Sequence, residues 1–356
     1  MISHNFFLDK CIELAKNGIG YVSPNPLVGC VIVYNDKIIG QGYHETYGGS
    51  HAEVNAINNV KEKKILRNST LYVNLEPCSH FGKTPPCCDL IIKYKIPKVV
   101  IGCKDTFSLV NGQGIERMKN AGIEVIEDVL LEESVYLNRR FFTFNDKKRP
   151  YIIIKYAKSI DGFIAPTNQK EPFWMTSEFS KKLVHKWRAD EDAILVGRKT
   201  CHVDNPQLNV RFCKGENPKR IIIDPFLKLN KKLKIFNSNS HTFIFNFLSN
   251  KLLRGSTFVK LDKNNFLSQL LDYLYKIKIQ SIIIEGGAYT INSFLEAGYW
   301  DEARIFTSPI KLKSGIYSPI VNGTTFSVTF AIPLIPPIIT MPTRTARKKP
   351  NNQPYP

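Results

Sequence analysis

The sequence predicts an α/β protein of two consecutive domains. Strand-like and helix-like segments alternate through both halves of the chain, which argues for layered α/β architecture. Several strands are apolar along their whole length, as in a sheet covered on both faces. A polar, charged stretch ending in proline, "NDKKRP" at 145–150, breaks the alternation and reads as a linker. The 356 residues suffice for two domains of ordinary size, and 43% apolar content supports real cores. The boundaries that follow are 1–145 and 150–330. Residues 331–356, "AIPLIPPIITMPTRTARKKPNNQPYP", are rich in proline and basic residues, have no amphipathic period and read as an extended tail. No internal repeat links the halves.

The elements follow in order. "MISHNFFLDKCIELAKNG" reads as an amphipathic helix; it lacks the basic, apolar and small-residue succession of a signal peptide. "LVGCVIVYN" is a strand, and "KIIGQGYHE" its hairpin partner across "ND". "SHAEVNAINNV" is a helix, with Ser50 as the expected N-cap and Glu53 completing a capping box. "TLYVNLEP" is a strand. "CCDLIIKYK" is a helix entered through Pro85 and Pro86. "KVVIGCKD" and "IEVIEDV" are strands around the helix "GIERMKNAG". In the second half, "YIIIKYA", "DAILVG", "RIIIDP", "HTFIFNF" and "SIIIEGG" read as strands. "SEFSKKLVHKWRADE", "NFLSQLLDYLYKI" and "AYTINSFLEAG" read as helices.

Composition narrows the function classes. No run approaches the ~18 apolar residues of a membrane span, so no membrane association and a cytoplasmic location are expected. The eight cysteines are scattered, and most read as buried thiols and not as a disulfide framework. The net charge of +18 is compatible with a nucleic-acid partner, a phosphorylated small substrate, or a lysine-rich solvated surface. No aromatic-interleaved RNA motif accompanies it, which favours the last and predicts no nucleic-acid partner.

Chemistry concentrates in two stretches, "HAE" at 51–53 and "EPCSHFGKTPPCC" at 76–88. Taken singly, His51 and Glu53 are compatible with a solvated first helical turn, and Cys78 and Cys87 with packing. Together they resemble the H-x-E and P-C…C arrangement of zinc deaminases, with eight residues and not two between the cysteines. Three such ligands leave a fourth tetrahedral position for water. The metal makes hydroxide available near neutral pH, and a carboxylate such as Glu53 shuttles protons to a leaving amine. A thiol at a helix N-terminus ionises readily, which favours Cys87 as the thiolate. His80 as a fourth ligand would close the catalytic position. Cys88, turned ~100° from Cys87 on a helix, reads as core.

"SPNPLVGCVIV", "GSHAEVNAI" and "LEPCSHFGKTPPCCDLI" resemble the deaminase domain of the bifunctional riboflavin-biosynthesis deaminase/reductase family. The long spacer "SHFGKTPP" sets this family apart from cytidine and tRNA-adenosine deaminases. The resemblance implies a cytidine-deaminase-like three-layer α/β/α domain, with His51, Cys78 and Cys87 as Zn2+ ligands and Glu53 as proton donor. It also implies that His80 and Lys83 meet the phosphoribosyl part of the substrate. One departure is "DTFSLVNGQG", which lacks the proline of the family's usual run but keeps "VNGQG".

From residue 151 on, "YIIIKYAKSIDGFIA", "FWMTS", "HKWRADEDAILVGRKTCHVDNPQLNVR" and "IIIEGGAYTINSFLEAG" resemble the family's reductase domain, which has a dihydrofolate-reductase-like α/β fold. The likeness covers about residues 5–325. By motif it implies an NADPH site at Ala157, Trp174, Thr200, Asp204 and the stretch Gly287, Ala288, Tyr289, Thr290, Ile291, Asn292 and Ser293. It implies substrate contacts at Arg188, Leu208, Arg211 and Glu285. Physically, a Gly-Gly turn opening a helix is compatible with a phosphate site or with an ordinary tight turn, and the guanidinium groups with paired donation to a phosphate or with surface salt bridges. Asp161 in "SIDG" reads as a turn stabiliser. Pro172 stands where the family often has a small polar contact.

The resemblance implies two successive reactions on one phosphorylated pyrimidine: hydrolytic deamination, then NADPH-dependent reduction of ribosyl to ribityl. It also implies a homodimer or higher homo-oligomer. The family ends in a further strand that completes the reductase sheet, and the tail does not read as one. The alternative expectation is therefore a chain with an active deaminase and a reductase impaired by its altered C-terminus.

Overall fold

A computed structural model describes residues 2–79, 81, 85–105, 112–167, 173, 175, 177–237, 240–323, 325–329 and 338–340, the last two segments by their backbone. The chain divides into two compact units, Met1–Tyr151 with Leu271–Ser281, and Ile152–Leu270 with Ile282–Pro356.

The first unit contains, in order, α1 (His4–Ala15), β1 (Gly29–Tyr34), β2 (Lys37–Tyr43), α2 (Ala52–Asn58), β3 (Thr70–Leu75), α3 (Cys87–Lys93), β4 (Lys98–Cys103), α4 (Gln113–Asn120), β5 (Glu124–Ile126), α5 (Leu131–Leu137) and α6 (Arg139–Lys147). The sheet order is β2-β1-β3-β4-β5. β1 pairs antiparallel with β2 and β3, while β3, β4 and β5 run parallel. Asn35 and Asp36 turn the β1–β2 hairpin with φ of 49° and 58°, the left-handed pair that matches strand twist. Alternation along the strands builds two cores. Cys30, Ile32, Leu71 and Val73 face a layer with Ala56, Ile91 and Met118. Val31, Val33 and Tyr72 face Phe7, Leu8 and Cys11 of α1. The result is the expected α/β/α sandwich. Gly40 and Gly42 let α2 lie on β2: a Cβ on them would meet the Ala56 carbonyl oxygen at 2.5 Å and the Ala56 nitrogen at 2.6 Å. This contact sets the depth of the helix that begins with the HAE motif.

The remaining elements are β6 (Tyr151–Ser159), β7 (Phe163–Ala165), α7 (Glu178–Asp190), β8 (Ala193–Gly197), α8 (Arg198–Asp204), β9 (Lys219–Ile223), β10 (Thr242–Asn246), β11 (Lys251–Leu253), β12 (Ser256–Lys260), α9 (Phe266–Lys276), β13 (Ser281–Ile284), α10 (Ala288–Glu296), β14 (Glu302–Ser308), β15 (Ile316–Tyr317), β16 (Thr325–Thr329) and β17 (Ile338–Thr340), which belong to the second unit apart from Tyr151, the α9 residues from Leu271 on and Ser281. Ten strands form one sheet in the order β11-β12-β10-β9-β8-β13-β6-β14-β16-β17, and β15 pairs with β7. The run β12-β10-β9-β8-β13 is parallel, as are β6-β14-β16; the edge strands β11 and β17 are antiparallel. β8 and β13 are buried at every residue, which accounts for their unbroken apolar sequence.

Four sequence expectations change. The linker begins later, because α6 continues through Lys147 and takes half of "NDKKRP". α2 is capped by the backbone of His51, with no side-chain cap from Ser50; the Ser50 carbonyl instead accepts from His44 Nδ1 at 2.9 Å. Residues 338–340, expected in an extended tail, pair with β16 in the register Ser327↔Thr340, Val328↔Ile339 and Thr329↔Ile338. Ile-Ile-Thr is a β-branched run, and an edge position tolerates the prolines around it. Asp161 acts across the chain: its carboxylate accepts the Leu312 and Lys313 amides at 3.2 and 2.7 Å.

Candidate active sites

In the first unit, the sheet and two helix starts bring His51, Cys78 and Cys87 together. Cys78 follows β3, Cys87 is the first residue of α3, and His51 caps α2 in extended conformation. The donor atoms of the three lie within 4.8 Å of one another. His51 Nδ1 is 3.5 Å from Cys78 Sγ and 3.3 Å from Cys87 Sγ. One imidazole and two sulfurs converging from separate elements form a donor set that suits zinc.

Hydrogen bonds link the three residues of this triad. The Cys87 backbone N–H, a free donor at the start of α3, points at Cys78 Sγ from 3.3 Å. With the Cys87 thiol donating to it and His51 beside it, Cys78 is brought down to about 4. Cys87, hydrogen-bonded to that thiolate, buried and near Glu53, is pushed well above the usual thiol range. His51 is raised to about 9, chiefly by its hydrogen bond to Cys78. The hydrogen bonds that Cys78 Sγ receives, first from the Cys87 thiol and then from the amide at the start of α3, favour the thiolate at Cys78.

Glu53, in the first turn of α2, is 3% exposed. Burial raises its carboxyl above the ordinary value, with the His51 charge opposing. Such a group exchanges a proton more readily near neutral pH. Cys88 is fully buried in the core beneath the sheet. His80, Lys83 and most of "DTFSLVNGQG" lie outside the described residues.

The sequence reading missed two neighbours. The His44 ring lies 5.6 Å from that of His51. With Nδ1 donating to Ser50, its Nε2 accepts the Asn25 amide at 3.0 Å. Asn25 belongs to "SPNPLVG", a stretch that carried the resemblance; His44 stood in no motif.

The second unit encloses a cavity of about 1950 Å³. Ala157, Thr200, Asp204, Gly287, Ala288, Tyr289, Thr290 and Ser293 line it, as do Arg188, Leu208, Arg211 and Glu285. Ile291, fully buried, and Asn292 are not among the lining residues. Trp174 and Pro172 lie outside the described residues. α10 starts at Gly287 with no side-chain cap, leaving N–H donors of its first turn without a local acceptor. The Gly287 amide itself donates to Thr200 Oγ1 at 3.0 Å. A Cβ on Gly286 would meet Thr290 at 2.9 Å, so the Gly-Gly pair seats the helix tightly. Uncapped donors opening on a large cavity fit the phosphates of a dinucleotide.

At the cavity wall Arg188 pairs with Glu285, and Lys155 Nζ stands 3.9 Å from the same carboxylate. Burial alone would raise Glu285, but the Arg188 and Lys155 charges hold it down at about 2. Desolvation lowers Lys155. His185, buried beside Arg188 and Arg211, is lowered to about 4 and accepts the Arg211 amide at Nδ1, 3.1 Å away. The Arg211 guanidinium is exposed, 2.7 Å from Asn209 Oδ1. Lys155 was missed because its strand reads as purely structural; a single lysine inside "YIIIKYA" was its signal.

Comparison with known proteins finds a match for each half of the chain. Residues 1–103 match the model of the cytidine and deoxycytidylate deaminase zinc-binding region, and residues 150–328 match that of the RibD C-terminal domain. The riboflavin biosynthesis protein RibD of Aquifex aeolicus is 40% identical over 316 residues, 87% of this chain and 88% of its own. That of Escherichia coli is 32% identical, with 87% and 88% covered. A crystal structure of a diaminohydroxyphosphoribosylaminopyrimidine deaminase/5-amino-6-(5-phosphoribosylamino)uracil reductase from Thermotoga maritima superposes with a TM-score of 0.83. It is 38% identical, with 91% of this chain and 94% of that chain covered. Acinetobacter baumannii RibD gives a TM-score of 0.83 at 31% identity, with 96% and 99% covered. The reductase match runs to residue 328, within β16, and gives no support to an impaired reductase. From these likenesses, spanning both units, the chain belongs to the RibD family of riboflavin biosynthesis proteins.

Proposed function

We propose that the chain catalyses two consecutive steps of riboflavin biosynthesis. The first is hydrolytic deamination of a diaminopyrimidinone bearing a phosphoribosylamino group. The second is NADPH-dependent reduction of the ribosyl chain of the product to ribityl. The observation that carries this reading is the pairing, in one chain, of a His51-Cys78-Cys87 donor set beside buried Glu53 with a separate cavity walled by Lys155, Arg188 and Glu285.

His51, Cys78 and Cys87 would hold zinc, which when bound makes hydroxide available near neutral pH. Glu53 takes a proton from the attacking water and delivers one to the departing ammonia. Its burial supports this role, since desolvation raises the carboxyl's affinity for a proton. The loop between the cysteines, with His80 and Lys83, would meet the phosphoribosyl group.

In the reductase cavity, Thr200, Asp204, Ala157 and the first turn of α10 would hold NADPH, whose nicotinamide supplies the hydride. Arg211, with its exposed guanidinium, suits the substrate phosphate. Arg188, Leu208 and Glu285 would orient the ribosyl chain, with the Arg188–Glu285 pair keeping that wall charged and fixed. Among the described residues no helix is long and apolar enough to cross a membrane. A cytoplasmic homodimer, or higher homo-oligomer, acting on small molecules and not on nucleic acid, is the assembly we infer. Sedimentation of the purified chain tests it. A coupled assay with the pyrimidine substrate tests the function: ammonia is released without NADPH, and NADPH is consumed only as the deaminated product forms. Ammonia release with no NADPH oxidation would refute the second activity.

A further inference from the structure

Glu76 opens the "EPC" stretch, two residues before Cys78. It is 4% exposed, and its carboxylate is filled by backbone donors from one other segment. Oε2 accepts the amides of Asp105 at 3.2 Å and Gly112 at 3.0 Å. Oε1 accepts those of Gly114 at 3.0 Å and Ile115 at 3.3 Å. One oxygen thus holds both ends of the 105–112 segment, and the other holds the first turn of α4.

The contact continues along the ligand loop. A Cβ on Gly114 would meet the Pro77 carbonyl oxygen at 2.3 Å, so the α4 backbone lies directly against the residue before Cys78. Beyond Cys78, Arg117 Nη1 donates to the Ser79 carbonyl at 3.2 Å, and its Nη2 pairs with Asp89 of α3 at 3.0 Å. Residues 76, 77 and 79, which flank Cys78 on both sides, are therefore all fixed to α4. Asp89 fixes α3, whose first residue is Cys87, to the same helix.

We propose that Glu76 is a positioning residue for the metal centre. Through its four amide hydrogen bonds it seats α4 as a backing against which Cys78 and Cys87 are held at ligand distance. This inference rests on the reading of His51, Cys78 and Cys87 as the metal ligands. Two acceptor oxygens are required by the donor count: four N–H groups converge on them, and each oxygen takes two. Glutamine keeps the shape and volume but turns an NH2 toward two of those donors, leaving them unsatisfied.

The test uses the full-length protein and measures zinc affinity by chelator competition, together with the absorption spectrum of the cobalt(II)-substituted protein. Glu76→Gln is expected to weaken zinc binding by about tenfold to a hundredfold, the range for residues that orient metal ligands. It is also expected to shift the thiolate-to-cobalt charge-transfer band, while NADPH-dependent reduction by the same chain is unchanged. A role in packing alone would leave the cobalt spectrum as in the wild type, because glutamine fills the same space. Arg117→Met, half-exposed and tolerable for folding, is expected to weaken zinc binding by a smaller factor and decides the matter if Glu76→Gln does not fold. Cys78→Ser separates the two claims. If Cys78→Ser loses zinc but Glu76→Gln, or in its place Arg117→Met, binds it as the wild type does, the positioning role is overturned. If Cys78→Ser binds zinc as the wild type does, the ligand assignment itself is wrong.

Discussion

Arg188 holds the Glu285 carboxylate with two nitrogens, Nε at 3.3 Å and Nη2 at 2.7 Å, on the wall of the reductase cavity. The pair is nearly buried, and its third member, Lys155, adds charge without close contact. Glu285 has an ordinary value of 4.5 and is held at about 2 in the folded chain. A depressed carboxylate stabilises the fold above its unfolded pKa and loses that contribution as pH falls through the folded one. The pair's contribution is therefore complete above about pH 4.5 and disappears towards pH 2. Arg188→Met should destabilise the second unit by about 3–5 kcal/mol, because it strands a buried carboxylate. Urea unfolding at pH 7 and pH 3 checks this: the gap between variant and wild type should narrow at the lower pH.

His185 titrates in a different window. Its ring is neutral at pH 7 and held at about 4 against an ordinary 6.5, and its Nδ1 must stay unprotonated to accept the Arg211 amide. The unfolded chain binds the proton first, so stability falls as pH drops from 6.5 to 4. Proton NMR of the imidazole, assigned by its loss in His185→Phe, should show a midpoint near 4. A midpoint near 6.5 contradicts the buried setting.

Gly42 tests how α2 carries the site. Alanine there would press its Cβ against the Ala56 nitrogen and Asn55 Cβ, both at 2.6 Å. Gly42→Ala should cost about 1–3 kcal/mol and displace the helix that begins with His51 and Glu53. Thermal unfolding and zinc affinity measured together check the link between packing and site.

Asn138, between α5 and α6, is tied to the loop that carries Asn25. Its Oδ1 accepts the Leu27 amide at 2.8 Å, and its Nδ2 donates to the Leu27 carbonyl at 3.0 Å. Asn138→Ala takes the acceptor from the half-buried Leu27 amide, and should cost about 1–3 kcal/mol in denaturant unfolding.

The alternation of strand and helix, the hairpin at Asn35-Asp36 and the apolar strands were legible because each rests on local periodicity or turn chemistry. So were His51, Glu53, Cys78 and Cys87, since their residue types and order carry the chemistry. What was not legible depends on distant partners. Glu76 reads as part of a motif, and only its four amide donors from residues 105–115 reveal its task. Lys155 reads as one polar position in a strand until Glu285 is placed beside it. That the Cys87 amide is aimed at Cys78 Sγ was not legible either, because the direction of an N–H at a helix start depends on the fold around it. The strand at 338–340 was hidden by flanking prolines and needs β16 as its partner.

On the function proposed above, one chain holds two separate chemistries and Glu53 moves the proton in the first. Ammonia release and NADPH oxidation, followed in parallel for Glu53→Gln, test it most directly. With the diaminopyrimidinone as substrate, ammonia release should fall by about a hundredfold to ten-thousandfold. With the deaminated product supplied instead, NADPH oxidation should match the wild type. Ammonia release at the wild-type rate, or loss of both activities in a folded variant, would contradict the account.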